Sequence, residues 1–276
     1  MKEINVSYDM IGGWINMKKF GKVVAVMMTA IMVLSGCGAT SGDSNASGDS
    51  NKVVVGTNAE FPPFEYIDDN GQPDGFDIAL IKEVGKRAGF EVEITNMDFD
   101  ALLMSMSTGG IDMAIAGMTA NAERSKQVDF SDSYFQSGQV IIVKKDNDSI
   151  KTFQDLSGKS VAVQQGTTGD LTVTEGDEKC VVNGVNVKRM NKGADAVVDL
   201  INGGVDAVVI DALPAQQFVK AHPDDIKVIV DDAVVEEYAI ALPKGNDTLL
   251  KSVNEALASI KEDGTLDKLA EQYGAK

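Results

Sequence analysis

Gly109-Gly110-Ile111-Asp112-Met113-Ala114-Ile115-Ala116-Gly117 is matched in residue type at most positions by Gly203-Gly204-Val205-Asp206-Ala207-Val208-Val209-Ile210-Asp211. Each stretch reads as the close of a helix, a Gly-Gly turn and a buried strand. Two lobes built on one plan account for the repetition, although so short a window also allows coincidence. In open α/β sheets, ligands lie beyond the carboxyl ends of the strands. The paired stretches therefore point at residues 117–119 in one lobe, at Asp211 in the other, and at a cleft between them.

The flanking sequence alternates strand and helix patterns. Val53-Val54-Val55-Gly56 is a short apolar run of the buried-strand kind, and 77–88 carries Ile78, Ile81, Val84 and Gly85 at helical spacing before Gly89. Residues 92–95 alternate as a strand, 100–108 read as a helix, and 113–116 as another buried strand. This β-α-β-α-β order marks an α/β layer with a mainly parallel sheet. A second unit opens near Gly138, with strands at 140–143, 160–163 and 207–210 and helices at 193–202 and 212–221. Residues 171–187 are richer in Thr, Val and Gly than a helix favours.

The chain has 276 residues, 43% hydrophobic and 24% charged, too polar for a polytopic membrane protein. A formal charge of -17 excludes the basic face that nucleic acid requires. Near the N-terminus, Lys18, Lys19 and Lys22 precede an apolar run at 23–34, too short to cross a bilayer, which takes about 20 residues. Leu34-Ser35-Gly36-Cys37 resembles a bacterial lipobox, which implies cleavage before Cys37 and acylation of its thiol. An ordinary signal peptide ending near a cysteine is the alternative. Residues 1–36 are thus expected to be a signal peptide, with 1–16 an upstream extension if translation starts at Met17. Residues 37–51 would be the lipidated cysteine and a flexible Gly/Ser/Asn tether. Lipidation of Cys37 would leave Cys180 without a disulfide partner.

A free α-amino acid presents a carboxylate beside an ammonium, and its site needs a planar donor for one and a fixed carboxylate for the other. Arg124, a few residues after Gly117-Met118-Thr119, can be the donor, or a surface ion-pair partner. The stretch 165–170 can open a helix whose N–H groups face an anion. Asp211 can hold the ammonium, or merely cap the helix that follows it.

Asn58-Ala59-Glu60-Phe61-Pro62-Pro63-Phe64-Glu65-Tyr66, Gly75-Phe76-Asp77-Ile78, Met97-Asp98-Phe99, Ala116-Gly117-Met118-Thr119, Glu123-Arg124, Asp129-Phe130-Ser131-Asp132, Gln165-Gly166-Thr167-Thr168 and Pro243-Lys244-Gly245 occur in this order. Together they resemble bacterial extracellular solute-binding family 3, the polar-amino-acid-binding proteins, from about residue 52 to the end. The resemblance implies the two-lobe type II periplasmic-binding fold with two hinge crossovers. Lobe 1 would span 52–133 and 239–276, lobe 2 would span 139–233, and the hinges would be 134–138 and 234–238. It further implies that Arg124 clamps a ligand carboxylate with Thr119, Thr167 and Thr168, and that Asp211 and Gly117 take the ammonium. Phe61 and Phe99 resemble aromatic walls, and Asn58 and Gln164 occupy positions that vary with substrate. Met118 belongs to the same stretch, although Met97, Met104, Met106, Met113 and Met118 are most simply core residues.

The expected activity is capture of a free polar amino acid and delivery to the permease subunits of an ABC importer. The protein would be a monomer outside the cytoplasm, lipid-anchored to the outer face of the cell membrane or on the periplasmic side of a two-membrane cell. No cofactor or metal is expected. An uncharged polar ligand ranks first because Asn58 and Gln164 both donate and accept. Arginine or lysine ranks second, since the direction of Glu60 and Glu65 cannot be read from sequence. An enzyme is not expected; a dehydratase-like enzyme on the same fold is the rival of another class.

Overall fold

The computed structural model describes residues 51–231 and 235–276. The expected signal peptide, most of the tether and the lipidation of Cys37 lie outside the described residues.

The chain enters on β1 (Lys52–Thr57), then makes a small antiparallel ribbon of β2 (Glu60–Phe61), β3 (Glu65–Ile67) and β4 (Pro73–Asp74). Helix α1 (Phe76–Ala88) buries Ile78, Ile81 and Val84 and stops at Gly89, whose φ of 82° suits a residue without Cβ. Next come β5 (Glu91–Asn96), α2 (Leu102–Ser107), β6 (Met113–Ala114) and β7 (Val128–Phe130). The helix expected at 100–108 begins instead as a tight 3₁₀ turn at Phe99–Ala101. β8 (Phe135–Lys144) leads to β9 (Ser160–Gln164), α3 (Thr168–Val173), β10 (Asn186–Met190), α4 (Gly193–Asn202), β11 (Ala207–Asp211), α5 (Ala212–Ala221) and β12 (Ile226–Ile229). The chain returns through β13 (Val235–Tyr238) and β14 (Ala241–Pro243) and ends in α6 (Asp247–Glu262) and α7 (Thr265–Tyr273).

Two sheets result, ordered β5-β1-β6-β14-β7 and β10-β9-β11-β8-β12, and they form the cores of the two lobes. Within the first, β1 is parallel to β5 and β6; within the second, β9 is parallel to β10 and β11. The sheets are less parallel than expected, because β14 runs antiparallel to β6 and β7, and β8 antiparallel to β11 and β12. Parallel neighbours need a crossover connection, and β14 enters its sheet straight from β13 without one.

The sequence echo is structural. Gly109 and Gly203 both adopt left-handed φ, 76° and 81°. Asp112 N–H donates to Val54 O at 2.8 Å while its Oδ2 accepts from Val54 N–H at 2.8 Å. Asp206 does the same to Ser160, at 2.8 and 2.9 Å. The same acid thus pins the same strand pair in each lobe.

The lobes are joined by two neighbouring segments. Phe135 to Gly138 pair antiparallel with Tyr238 to Val235, and from Gln139 onward the same strand β8 pairs with β11. Tyr134, Phe135 and Tyr238 pack there against Phe64 and Phe76, with ring centroids 4.9 to 6.3 Å apart.

Candidate functional site

The strand ends converge as the α/β rule requires. β1 runs out into Asn58, β6 into Ala116 and Gly117, β9 ends at Gln164 and β11 at Asp211. All five line one cavity between the lobes. Phe61, Phe99, Thr167 and Thr168 also line it, as does Glu65. Arg124 and Thr119 stand one side chain behind this wall. The Arg124 guanidinium lies 5.2 Å from the centroid of Phe99, and Thr168 Oγ1 donates to Thr119 Oγ1 at 3.0 Å. Met118 is not brought to the cavity; it packs with Leu102, Met106 and Ile111 in the first lobe's core.

Gly117 has φ 50°, a left-handed conformation. A Cβ at this residue would meet the Phe61 ring at 2.9 Å, so a glycine lets the wall close. Its N–H donates to Asp77 Oδ2 at 2.8 Å, which leaves the carbonyl as its remaining polar group.

Several hydrogen bonds tie the lobes together. Gln164 Nε2 donates to Asn58 Oδ1 at 2.8 Å, Gln165 Nε2 to Asp100 Oδ2 at 2.7 Å, and Arg124 Nη2 to Gly166 O at 3.0 Å. Lys192 Nζ lies 2.5 Å from Glu60 Oε1 at the exposed rim.

The electrostatics are those of a buried cation facing an excess of buried acids. Arg124 is 6% exposed, and its donors reach only backbone carbonyls, Thr119 O at 2.8 Å and Gly166 O. Burial lowers its pKa to about 10, against the opposing pull of Glu236 and Asp211. Asp211 precedes α5 but makes no capping bond. Its Oδ1 accepts from the Tyr238 hydroxyl at 2.6 Å and the Ser137 hydroxyl at 3.5 Å, and burial followed by Glu236 raises its pKa. Asp211 thus occupies the N-cap position of α5 while its side chain is engaged elsewhere.

Sequence reasoning missed four members of this cluster or could not orient them. Glu65 is fully buried, and burial, then Asp77, hold its carboxyl well above the ordinary range. Asp77 is pushed up to about 6 by burial, although Gly117 N–H and Tyr134 OH, the latter at 2.7 Å, hold it down. Glu236 accepts from Thr119 Oγ1 at 3.0 Å and Gln139 Nε2 at 2.9 Å. Tyr238 completes the wall behind Asp211. Period-two alternation from Tyr238 places Glu236 on the same face, a signal the sequence does carry. Among the described residues, no group of three His, Cys, Asp or Glu side chains lies close enough to hold a metal ion.

Two α/β lobes joined by paired crossing segments, with strand ends meeting at a cavity between them, define the architecture of a two-lobe solute-binding protein. Residues 53–276 match the bacterial extracellular solute-binding proteins, family 3, and the chain belongs to that family. It is 33% identical to the arginine-binding extracellular protein ArtP of Bacillus subtilis, over 91% of this chain and 95% of ArtP. An ancestral arginine-binding protein solved with arginine matches at TM-score 0.76 and 46% identity, covering 81% of this chain and 98% of that one. A structure of an ancestral arginine-binding protein with glutamine bound matches at TM-score 0.76 and 45% identity, covering 82% and 99%.

Proposed function

We propose that this protein captures a free α-amino acid between its lobes and delivers it to the permease of an ABC importer. The observation that carries this reading is Arg124, a buried guanidinium with no carboxylate partner among the described residues, behind the Phe99 wall of a cavity that Asp211 also lines. Its unused N–H donors would take the ligand carboxylate, helped by Thr119, Thr167 and Thr168. Asp211 and the Gly117 carbonyl would take the ammonium. Phe61 and Phe99 would flank the side chain, with Asn58 and Gln164 at its polar end. The paired segments Phe135–Gly138 and Val235–Tyr238 would serve as the hinge. The protein would act as a monomer held through Cys37 to the outer face of the cell membrane, or on the periplasmic side of a two-membrane cell, binding without turnover.

For the ligand class, the orientation of Glu65 changes the ranking reached from sequence. Its carboxyl lines the cavity, and neither oxygen has a hydrogen-bond donor among the described residues. Glu65, Asp77, Asp211 and Glu236 are all buried, and only Glu236 and Asp211 act on the buried Arg124, which leaves Glu65 without a cation. Such a site favours a ligand with a cationic side chain, and arginine leads. The Asn58–Gln164 amide pair supports a second reading, an uncharged polar ligand such as glutamine. Competition calorimetry decides between them: arginine should bind at least tenfold tighter than glutamine, about 1.4 kcal/mol, and the reverse order would restore the uncharged reading.

A further inference from the structure

Three buried oxygens lack a hydrogen-bond donor: Glu65 Oε1 and Oε2, on a side chain that lines the cavity, and Asp77 Oδ1. Both residues are completely buried, and Asp77 N–H donates to Phe64 O at 2.8 Å, which sets the two carboxyls close enough for Asp77 to raise Glu65. Two buried carboxylates so placed repel each other, and neither has a proton to donate. A carboxylic acid facing a carboxylate has one, and that shared proton satisfies an oxygen on each side.

Every other charged or titratable group around the pair leaves this arrangement in place. Asp77 Oδ2 already accepts from Gly117 N–H and Tyr134 OH, so Asp77 is the better anion of the two. Asp211 on β11 adds negative potential at Glu65. Tyr238 on β13 is engaged with Asp211, and Arg124 answers to Glu236 and Asp211. On the strands beside β3, Glu60 pairs with Lys192 and Asp74 accepts from the Tyr273 hydroxyl. No cation is therefore placed against Glu65 among the described residues.

We infer that Glu65 and Asp77 hold one proton between them before ligand binds, and that a cationic ligand side chain expels that proton to solvent as it takes its place beside Glu65. The inference rests on the cationic-ligand reading above. The balance closes: the Glu65 O–H bond breaks, the proton passes to a buffer base, and the arriving cation replaces it, so the buried charge of the site is unchanged. Burial that raises both carboxyls agrees with a retained proton near neutrality. The pair would then work as a specificity element, since an uncharged side chain has nothing to exchange for the proton.

The test is titration calorimetry of the full-length chain at pH 7.5 in phosphate and in Tris, with L-arginine and with L-glutamine. The dependence of the observed heat on buffer ionisation enthalpy counts protons released. Asp211, also raised by burial, contributes equally to both ligands, so the difference between them is what matters. Arginine should release about one proton more than glutamine, and its affinity should climb up to tenfold per pH unit above the Asp77 value of about 6. In Glu65→Gln the extra release should vanish. Arginine binding with no excess release overturns this inference alone and leaves the cationic reading standing; so does excess release that persists in Glu65→Gln. Failure of arginine to bind overturns the reading beneath it as well. If Glu65→Gln does not fold, the wild-type buffer series decides by itself.

Discussion

The side-chain amide of Gln164 donates to Asn58 Oδ1 across 2.8 Å, joining strand ends that belong to opposite lobes. Both amides are oriented by further bonds, Gln164 to Asn191 O at 3.1 Å and Asn58 to Met97 O at 2.9 Å. Asn58→Asp keeps the acceptor for Gln164 and adds a charge where the ligand side chain would end. The arginine-to-glutamine affinity ratio should rise at least tenfold, about 1.4 kcal/mol. An unchanged ratio in competition calorimetry would mean that Asn58 does not face that side chain.

Arg124→Lys retains the charge but loses the planar fork that reaches Thr119 O and Gly166 O together. Amino-acid binding should weaken by roughly 2 kcal/mol or more. Calorimetry is the check, with circular dichroism to confirm the fold; wild-type affinity would make Arg124 structural.

Gly117→Ala forces a Cβ onto a backbone at φ 50° and toward the Phe61 ring. The left-handed conformation costs an L-residue about 1–2 kcal/mol, so the melting temperature should fall by a few degrees. Ligand affinity should fall with it, because Phe61 must move from the cavity wall. A thermal-shift assay with and without ligand reads both effects.

Lowering the pH from 7.5 to 5 should raise the melting temperature of the ligand-free protein. Asp77 has a folded value of about 6 against 3.8 unfolded. Below the unfolded value both states are protonated and its contribution is complete; as pH rises through about 6 the folded state must ionise a buried carboxyl, and stability declines. Exposed carboxylates held low by partners, such as Asp263 at about 2, lose their contribution only below about pH 4. Asp77→Asn should flatten the rise between pH 7.5 and 5. A profile as steep as wild type would assign the effect to other groups.

Cys37→Ala should abolish membrane attachment and leave unprocessed or released protein, since two acyl chains anchor durably where one is marginal. Cell fractionation is the measurement. A variant that still fractionates with membranes after normal processing would sink the lipid-anchor proposal.

Much of the fold was legible because it obeys short-range rules. The bounds of α4 and α5 follow from apolar spacing and from the Gly203 and Asp211 boundaries, and the Gly-Gly-x-Asp echo marks the same strand-pinning contact twice. The first half of β8 was not legible: Gln136, Ser137 and Gly138 carry no apolar alternation, and their pairing partner is about a hundred residues away. The site acids failed for a sharper reason. In β3, Ile67 is 45% exposed while Glu65 is fully buried, and in β13, Val235 is 75% exposed while Glu236 is 4% exposed. Burial in both strands runs against hydropathy, as happens where a polar site displaces the core. Asp211 could be placed from sequence because it closes a strand, where ligands of α/β sheets lie, whereas Arg124 sits in a turn ten residues beyond the end of β6.

The bonds from Thr168 to Thr119 and from Thr119 to Glu236 have a direction. A hydroxyl has a single proton to give and a carboxylate only accepts, so Glu236 orients Thr119, and Thr119 in turn commits the proton of Thr168. A ligand carboxylate that claims the Thr168 proton breaks this one-way row at its first link. Thr119 is then left with an unmatched lone pair beside the crossing strand that carries Glu236. Occupancy of the cavity would in this way change the bonding of the one hydroxyl that also holds Glu236 of the crossing strand, without any contact between that strand and the ligand.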